Sequence, residues 1–317
     1  MEWRTRGFHC RKLLGLWSLS ILCLLLLAPV QSTALVEHDD LTGVKVAVYN
    51  GAGVMDSSRT ALTRMFEWMN ASVTIVNASQ ILEGFLDGFD ILVIPGGSES
   101  IAASELQYYE GGLKIQDFVN NGGSYFGICG GATYGANYLH LFNGSMRPVP
   151  DPGELIHITT MHVYQSPTGP DLSGIPEDFS TMYYASQSFL PRYGTSVHVI
   201  ATYECNNAAG MVACEYGYGT VFLSSPHPEY EENDDRDGTT FGNDLVDPDS
   251  EWPLLLRVSK WLVEASSEEP TATTTPPSTT TPTDATTTLD IPLIAIASTG
   301  IVMVVLVVFA VYRKAHY

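Results

Sequence analysis

The chain has 317 residues, of which 15 are Lys or Arg and 35 are Asp or Glu, giving a formal net charge of −20 at pH 7. That balance argues against nucleic acid as a partner, because a polyanion binder needs a basic face to release counterions. The hydrophobic content of 45% is raised by two apolar runs at the chain ends, so the middle has to be judged apart from them.

At the amino terminus, Arg4, Arg6, Arg11 and Lys12 precede an apolar run over residues 13–30 and then the small residues Ser32 and Ala34. This order reads as a secretory signal over residues 1–34, with cleavage expected after Ala34. If the segment is instead kept as an anchor, its basic flank still leaves the middle of the chain outside the cytoplasm.

The body, residues 35–265, opens with a buried-strand run at 44–49. The spacing of Leu62, Met65, Phe66 and Met69 predicts a helix over 59–69. Short strands follow at 73–76 and 91–95, the second running into Gly96-Gly97. After Gly111-Gly112 comes a short helix at 113–120, stopped by Asn121-Gly122-Gly123, and then a strand at 124–128. Short apolar strands alternating with helices indicate an α/β fold with a mostly parallel sheet covered on both faces. Its reactive crevice should lie beyond the carboxyl ends of the strands.

At that edge stands Gly127-Ile-Cys129-Gly-Gly131, a G-x-C-x-G between a strand and a helix, the cysteine form of a nucleophile elbow. A helix start after the thiol favours the thiolate. Farther on, a strand at 220–223 runs into Ser224-Ser-Pro-His227-Pro-Glu229. A strand end there can aim His227 at Cys129, and alternation puts Glu229 on the same side to orient the imidazole.

Other features complete the chain. Sequons begin at Asn70, Asn77 and Asn143, as suits an exported glycoprotein. Cys205 and Cys214 flank a turn between strand-like runs at 197–204 and 211–216, and a cross-strand disulfide is expected. Asn233, Asp235, Asp237, Gly238 and Asp244 follow the spacing of a calcium loop, although a solvated acidic loop accounts for the same residues. His157 and His162 lack a paired ligand pattern and read as structural, and Tyr183-Tyr184 with Phe189 as core or pocket wall. Residues 266–290, rich in Thr and Pro, predict a disordered stalk, open to O-glycosylation. Residues 291–312 carry no charge and are long enough to span a bilayer, with Arg313 and Lys314 marking a cytoplasmic tail at 313–317.

The elbow, Ile94-Pro-Gly-Gly97, Val48-Tyr-Asn-Gly51, the run from Gly122 to Gly131 and Pro226-His-Pro-Glu-Tyr230 together resemble the biotin-protein ligase amino-terminal-domain family, within the class I glutamine amidotransferase-like superfamily. The resemblance covers roughly residues 43–265. It implies a flavodoxin-like fold with Cys129 as nucleophile, His227 as base and Glu229 as its partner, and with the N–H groups of Gly97 and Gly130 as an oxyanion hole. Glu99 offers an alternative acid, at a spacing that fits peptidase-like relatives poorly. These residues contain no G-R-G-x-x-G ligase motif, so biotin transfer is not expected.

The expected protein is a single-pass cell-membrane protein whose folded domain lies outside, a cysteine hydrolase acting on an amide or ester of a small molecule or peptide-like substrate. Such chemistry requires no cofactor, and calcium is the candidate ligand of the acidic loop. A catalytically silent surface module that binds a small ligand is the alternative.

Overall fold

The computed structural model describes residues 40–149, 153–231 and 235–266. The signal at 1–34, nearly all of the stalk and the apolar run at 291–312 lie outside the described residues. Among the described residues no helix is long and apolar enough to cross a membrane.

The chain runs β1 (Lys45–Tyr49), α1 (Asp56–Trp68), β2 (Ser72–Val76), α2 (Ala78–Leu82), β3 (Ile91–Ile94), α3 (Glu99–Glu105), α4 (Tyr109–Asn120), β4 (Ser124–Ile128) and α5 (Gly130–Thr133), which continues into a π-helical turn, Tyr134–Tyr138. Seven strands follow: β5 (Gly144–Pro148), β6 (Ile156–Val163), β7 (Asp178–Tyr184), β8 (Gln187–Pro191), β9 (Val197–Tyr203), β10 (Ala209–Tyr216) and β11 (Gly219–Ser224). A 3-10 turn (Asp235–Asp237) and α6 (Trp252–Ser266) close the described chain.

All strands join one eleven-stranded sheet, with the order β2-β1-β3-β4-β11-β10-β9-β6-β7 and with β5 and β8 attached beside β10. From β2 to β11 every neighbour is parallel, in the 2-1-3-4-5 order of a flavodoxin-like sheet. From β11 to β7 every pair is antiparallel. The sheet is therefore mixed, which corrects the expectation of a mostly parallel one. Parallel strands need a crossover to return the chain, and helices supply it as far as β4. From β6 onward the strands are joined by turns and loops without a helix, so most reverse direction.

In β1, Val46 and Val48 pack with Leu62, Met65 and Phe66 of α1 and Leu255, Val258 and Leu262 of α6. Ala47 and Tyr49 face the other side, against Ile81, Ala103, Leu106, Ile115 and Val119 of α2 to α4. Two-residue alternation in a strand buried on both faces thus builds two apolar layers. Each large side chain fully buried in them contributes roughly 1.5–3 kcal/mol. Helix α1 begins at Asp56, three residues ahead of the predicted start. Helix α4 contains Gly111 and Gly112 where a break was expected. The Gly111 N–H donates to the Leu106 carbonyl, and a Cβ at Gly111 would collide with that same oxygen, so only glycine lets the helix start this close to α3.

The expected disulfide is absent. Cys205 is an exposed free thiol in the turn between β9 and β10, while Cys214 is buried and pairs with Val197 at the far end of the hairpin. The strand length between them exceeds what a disulfide can bridge. Asn70, Asn77 and Asn143 are all exposed.

Candidate functional site

Cys129 follows β4 with φ 50° and ψ −110°, a conformation that costs a non-glycine residue about 1–3 kcal/mol. Its N–H donates to the Ser224 carbonyl at the end of β11, 2.8 Å away, which ties the strained turn to the neighbouring parallel strand. The thiol is partly exposed.

His227 and Glu229 come just past the end of β11 and are both 0% exposed. Their bond runs from imidazole Nδ1 to carboxylate Oε1, 2.9 Å, so Nδ1 carries a proton and Nε2 is left for the thiol. The His227 N–H donates to the Met182 carbonyl on β7, 2.9 Å, which anchors the segment across the sheet. The imidazole also stacks on Tyr230, with ring centroids 5.5 Å apart, and lies beside Tyr184 at 6.0 Å.

A residue that sequence reasoning missed holds the carboxylate. Ser58 Oγ donates to Glu229 Oε1 at 2.7 Å and accepts from the Gly96 N–H at 2.9 Å. It links α1, the β3 strand end and the triad. Its signal was legible in principle: Ser58 is a polar residue in the buried face Ser58, Ala61, Leu62, Met65, Phe66 of α1. Trp252 also supports this end, its indole N–H donating to the Glu229 carbonyl at 3.0 Å.

Gly96 sits between nucleophile and base. A Cβ built on it would fall 2.7 Å from Cε1 of His227 and 3.5 Å from Cβ of Cys129. His227 Nε2 has no partner at good hydrogen-bond geometry. The imidazole and the Cys129 thiol still interact, and hydrogen bonds of such a pair tighten when substrate fills a site.

Burial pushes the Cys129 thiol up, but the charge and hydrogen bond of His227, helped by the Gly130 N–H, outweigh it and bring the pKa below the ordinary value. Burial pulls His227 down, while the Glu229 carboxylate and the Cys129 thiolate hold the imidazolium well above its usual range. The two directions together favour a thiolate–imidazolium pair.

Gly97 has φ 144°, and a Cβ there would collide with the Gly53 carbonyl. A Cβ at Gly130 would in turn collide with the Gly97 carbonyl. Backbone thus packs directly on backbone where the two expected oxyanion donors stand. A bridge between Val54 and Gly97 is carried by Ser98 N–H to Gly53 C=O at 2.7 Å and Met55 N–H to Gly96 C=O at 2.8 Å, so the Gly97 N–H takes no part in it. Gly130 is the first residue of α5, where an N–H has no intrahelical acceptor. Cys129, Gly97 and Gly130 line one cavity of about 400 Å³, together with Glu99, Tyr184 and Gln187. Its far wall is the β7–β8 turn, pinned by Ser186 Oγ to the Ser225 carbonyl at 3.0 Å and by the Gln187 N–H to Ser225 Oγ at 2.6 Å.

Residues 44–152 match the family described as biotin-protein ligase, N terminal. The segment is thus similar to that family over about a third of the chain. The match holds the elbow and Gly96-Gly97 but ends before His227 and Glu229, so the histidine–carboxylate half of the site rests on geometry. The biotin–protein ligase of Schizosaccharomyces pombe (strain 972) is 25% identical, over 59% of this chain and 33% of the relative. The chain thus aligns with about a third of that relative's length. Among solved structures, PurLQS from Thermotoga maritima superposes with a TM-score of 0.50 at 15% identity, covering 69% of this chain and 99% of that one. A glutamine amidotransferase from Thermotoga maritima gives a TM-score of 0.45 at 14% identity, over 71% and 90%. At such identity the likeness to PurLQS concerns fold alone.

The remaining predicted residues fall elsewhere. Asp237 is buried, with Oδ2 accepting from the Glu231 N–H at 3.1 Å and Oδ1 from the Thr239 N–H at 2.9 Å, and Asp244 is exposed. Asn233 and the Asp235 side chain lie outside the described residues. Among the described residues no group of three or more His, Cys, Asp or Glu is placed to hold a metal ion. His157 stacks on Tyr183 and His162 pairs with Asp178. Tyr183 is core, and Tyr184 forms cavity wall.

Proposed function

We propose that the domain is a cysteine hydrolase that cleaves an amide or ester, held at the outer face of a membrane by residues 291–312. The observation that carries the chemistry is the relay from Glu229 through His227 toward Cys129, opening on a cavity beside two backbone N–H groups. The Cys129 thiolate attacks the acyl carbon, and the carbonyl electrons move onto an oxygen placed between the N–H groups of Gly97 and Gly130. Each such donor supplies on the order of 3 kcal/mol to the barrier. The tetrahedral intermediate collapses by breaking the bond to the leaving group, which takes the proton from His227 Nε2. Water then gives a proton to His227 and its oxygen to the thioester carbon. Collapse expels the sulfur as thiolate, releasing a carboxylic acid and restoring the thiolate–imidazolium pair. The location rests on the sequence: an amino-terminal signal, exposed sequon asparagines and an uncharged run followed by a basic pair.

The test is the rate of Cys129 alkylation against pH in the full-length chain, beside His227→Ala. An ordinary thiol titrates near pH ~8.5. Fast alkylation well below that pH, lost in His227→Ala, is expected. A profile that follows ordinary thiol titration would overturn the hydrolase and leave the cavity as a small-ligand binding site.

A further inference from the structure

We infer that the cavity selects acyl groups carrying a cation, an ammonium or guanidinium, close to the scissile carbonyl, and that Glu99 is the residue that selects them. This rests on the acyl-transfer reading of Cys129. Glu99 is the first residue of α3 and lines the same cavity as Cys129, Gly97 and Gly130. No Lys or Arg lines that cavity, and apart from Cys129 the other side chains that line it carry no charged group, among them Thr133, Ser186 and Gln187. Among the described residues no basic side chain forms an ion pair with Glu99 within salt-bridge distance. The carboxylate thus has no basic side-chain partner at the edge of a partly enclosed space, where low-dielectric walls focus its field.

Its place relative to the reacting carbon is set by the backbone. Glu99 is two residues beyond Gly97, so its Cα lies within roughly 7 Å of the oxyanion donor. A cation opposite Glu99 is therefore only a few bonds from a carbonyl held by Gly97 and Gly130. A free zwitterionic amino acid fits less well, because its own carboxylate finds no basic partner on these walls. An amino-acyl or basic acyl group whose carboxyl is tied up in the amide or ester meets both conditions.

Methanethiosulfonate reagents test this without any turnover. The Cys129 thiolate attacks the sulfenyl sulfur, the S–S bond of the reagent breaks, and methanesulfinate leaves as a disulfide forms on Cys129. Rates are followed on the Cys129 peptide by mass spectrometry in the full-length chain, with a trimethylammonium-ethyl, a sulfonatoethyl and a methyl reagent. The expected cation-to-anion rate ratio exceeds that of a small free thiol by about tenfold or more. It should fall toward the free-thiol ratio in Glu99→Gln, invert in Glu99→Lys and stay unchanged in Glu83→Gln, which removes an exposed charge that does not line this cavity. A ratio indifferent to Glu99, or a Cys129 that reacts with none of the three reagents, would overturn the inference.

Lysyl, norleucyl and glutamyl p-nitrophenyl esters separate the two claims. Turnover of all three esters with equal kcat/KM sinks charge selection and leaves the hydrolase standing. No turnover, with a reagent ratio that still depends on Glu99, sinks the hydrolase and leaves a cation-selecting pocket.

Discussion

Nδ1 of His227 and Oε1 of Glu229 lie 2.9 Å apart with both side chains wholly removed from solvent. The Glu229 carboxylate and the Cys129 thiolate hold the buried imidazolium above its usual range, and the imidazolium in turn brings the thiol below its own. Replacing Glu229 with Gln should lower the His227 pKa, read from its ring-proton NMR shifts. The acid limb of Cys129 alkylation should move to higher pH with it. The folded imidazole holds its proton more tightly than the unfolded one. Its contribution to stability is therefore complete below pH ~6.5 and lost as pH rises through the folded value. The stability deficit of Glu229→Gln should accordingly be largest near the acid end of that window and shrink on the alkaline side, as measured by urea unfolding.

Ser58→Ala leaves the Gly96 N–H without its acceptor and removes one of the donors to Glu229. A destabilisation of about 1–3 kcal/mol is expected, seen as a lower urea midpoint at unchanged slope. Ser58→Thr, which keeps the hydroxyl on an enlarged side chain in a fully buried site, should recover the His227 titration better than it recovers stability.

Asp247 is 1% exposed, its Oδ2 lacks a partner, and burial pushes its pKa up to about 6. A carboxyl whose folded pKa is raised costs stability above that pKa and nothing below the unfolded one. Asp247→Asn should therefore raise stability at pH 7 by up to about 3 kcal/mol, a gain that disappears near pH 4. Thermal melts at the two pH values check it.

Thiol accessibility should follow the geometry of the two hairpin cysteines. Cys205 is expected to react in native protein, whereas Cys214, buried with its pKa pushed up to about 12, should react only after denaturation. Reductant should leave the melting temperature unchanged, and a fall on reduction would revive the bridge.

The parallel half of the sheet was legible because its strands are short apolar runs separated by helical spacing, and because glycine-rich turns mark the strand ends that carry Gly97 and Cys129. Of the antiparallel half only the β9–β10 pair, on either side of its turn, was legible. Strands such as β6, with His157, Thr159, Thr160 and His162 among its residues, show neither continuous apolarity nor clean alternation. Their direction depends on connections whose lengths carry no direct sign of it. Of the site, Cys129, His227 and Glu229 could be named from local context. Ser58, Met182 and Trp252 could not be tied to them, because contacts over more than twenty residues leave no local trace.

The boundary at β11, where parallel pairing gives way to antiparallel, divides the cavity between two kinds of scaffold. Nucleophile, base and oxyanion donors hang from the parallel side, while Tyr184 to Gln187 come from the β7–β8 connection on the other. The two scaffolds are stitched together at Ser225, which both Ser186 and the Gln187 N–H hold two residues ahead of His227. For an engineer this sets the limits of re-sequencing: Ala185 is the position in that connection whose side chain makes none of these bonds, while its neighbours also brace the base.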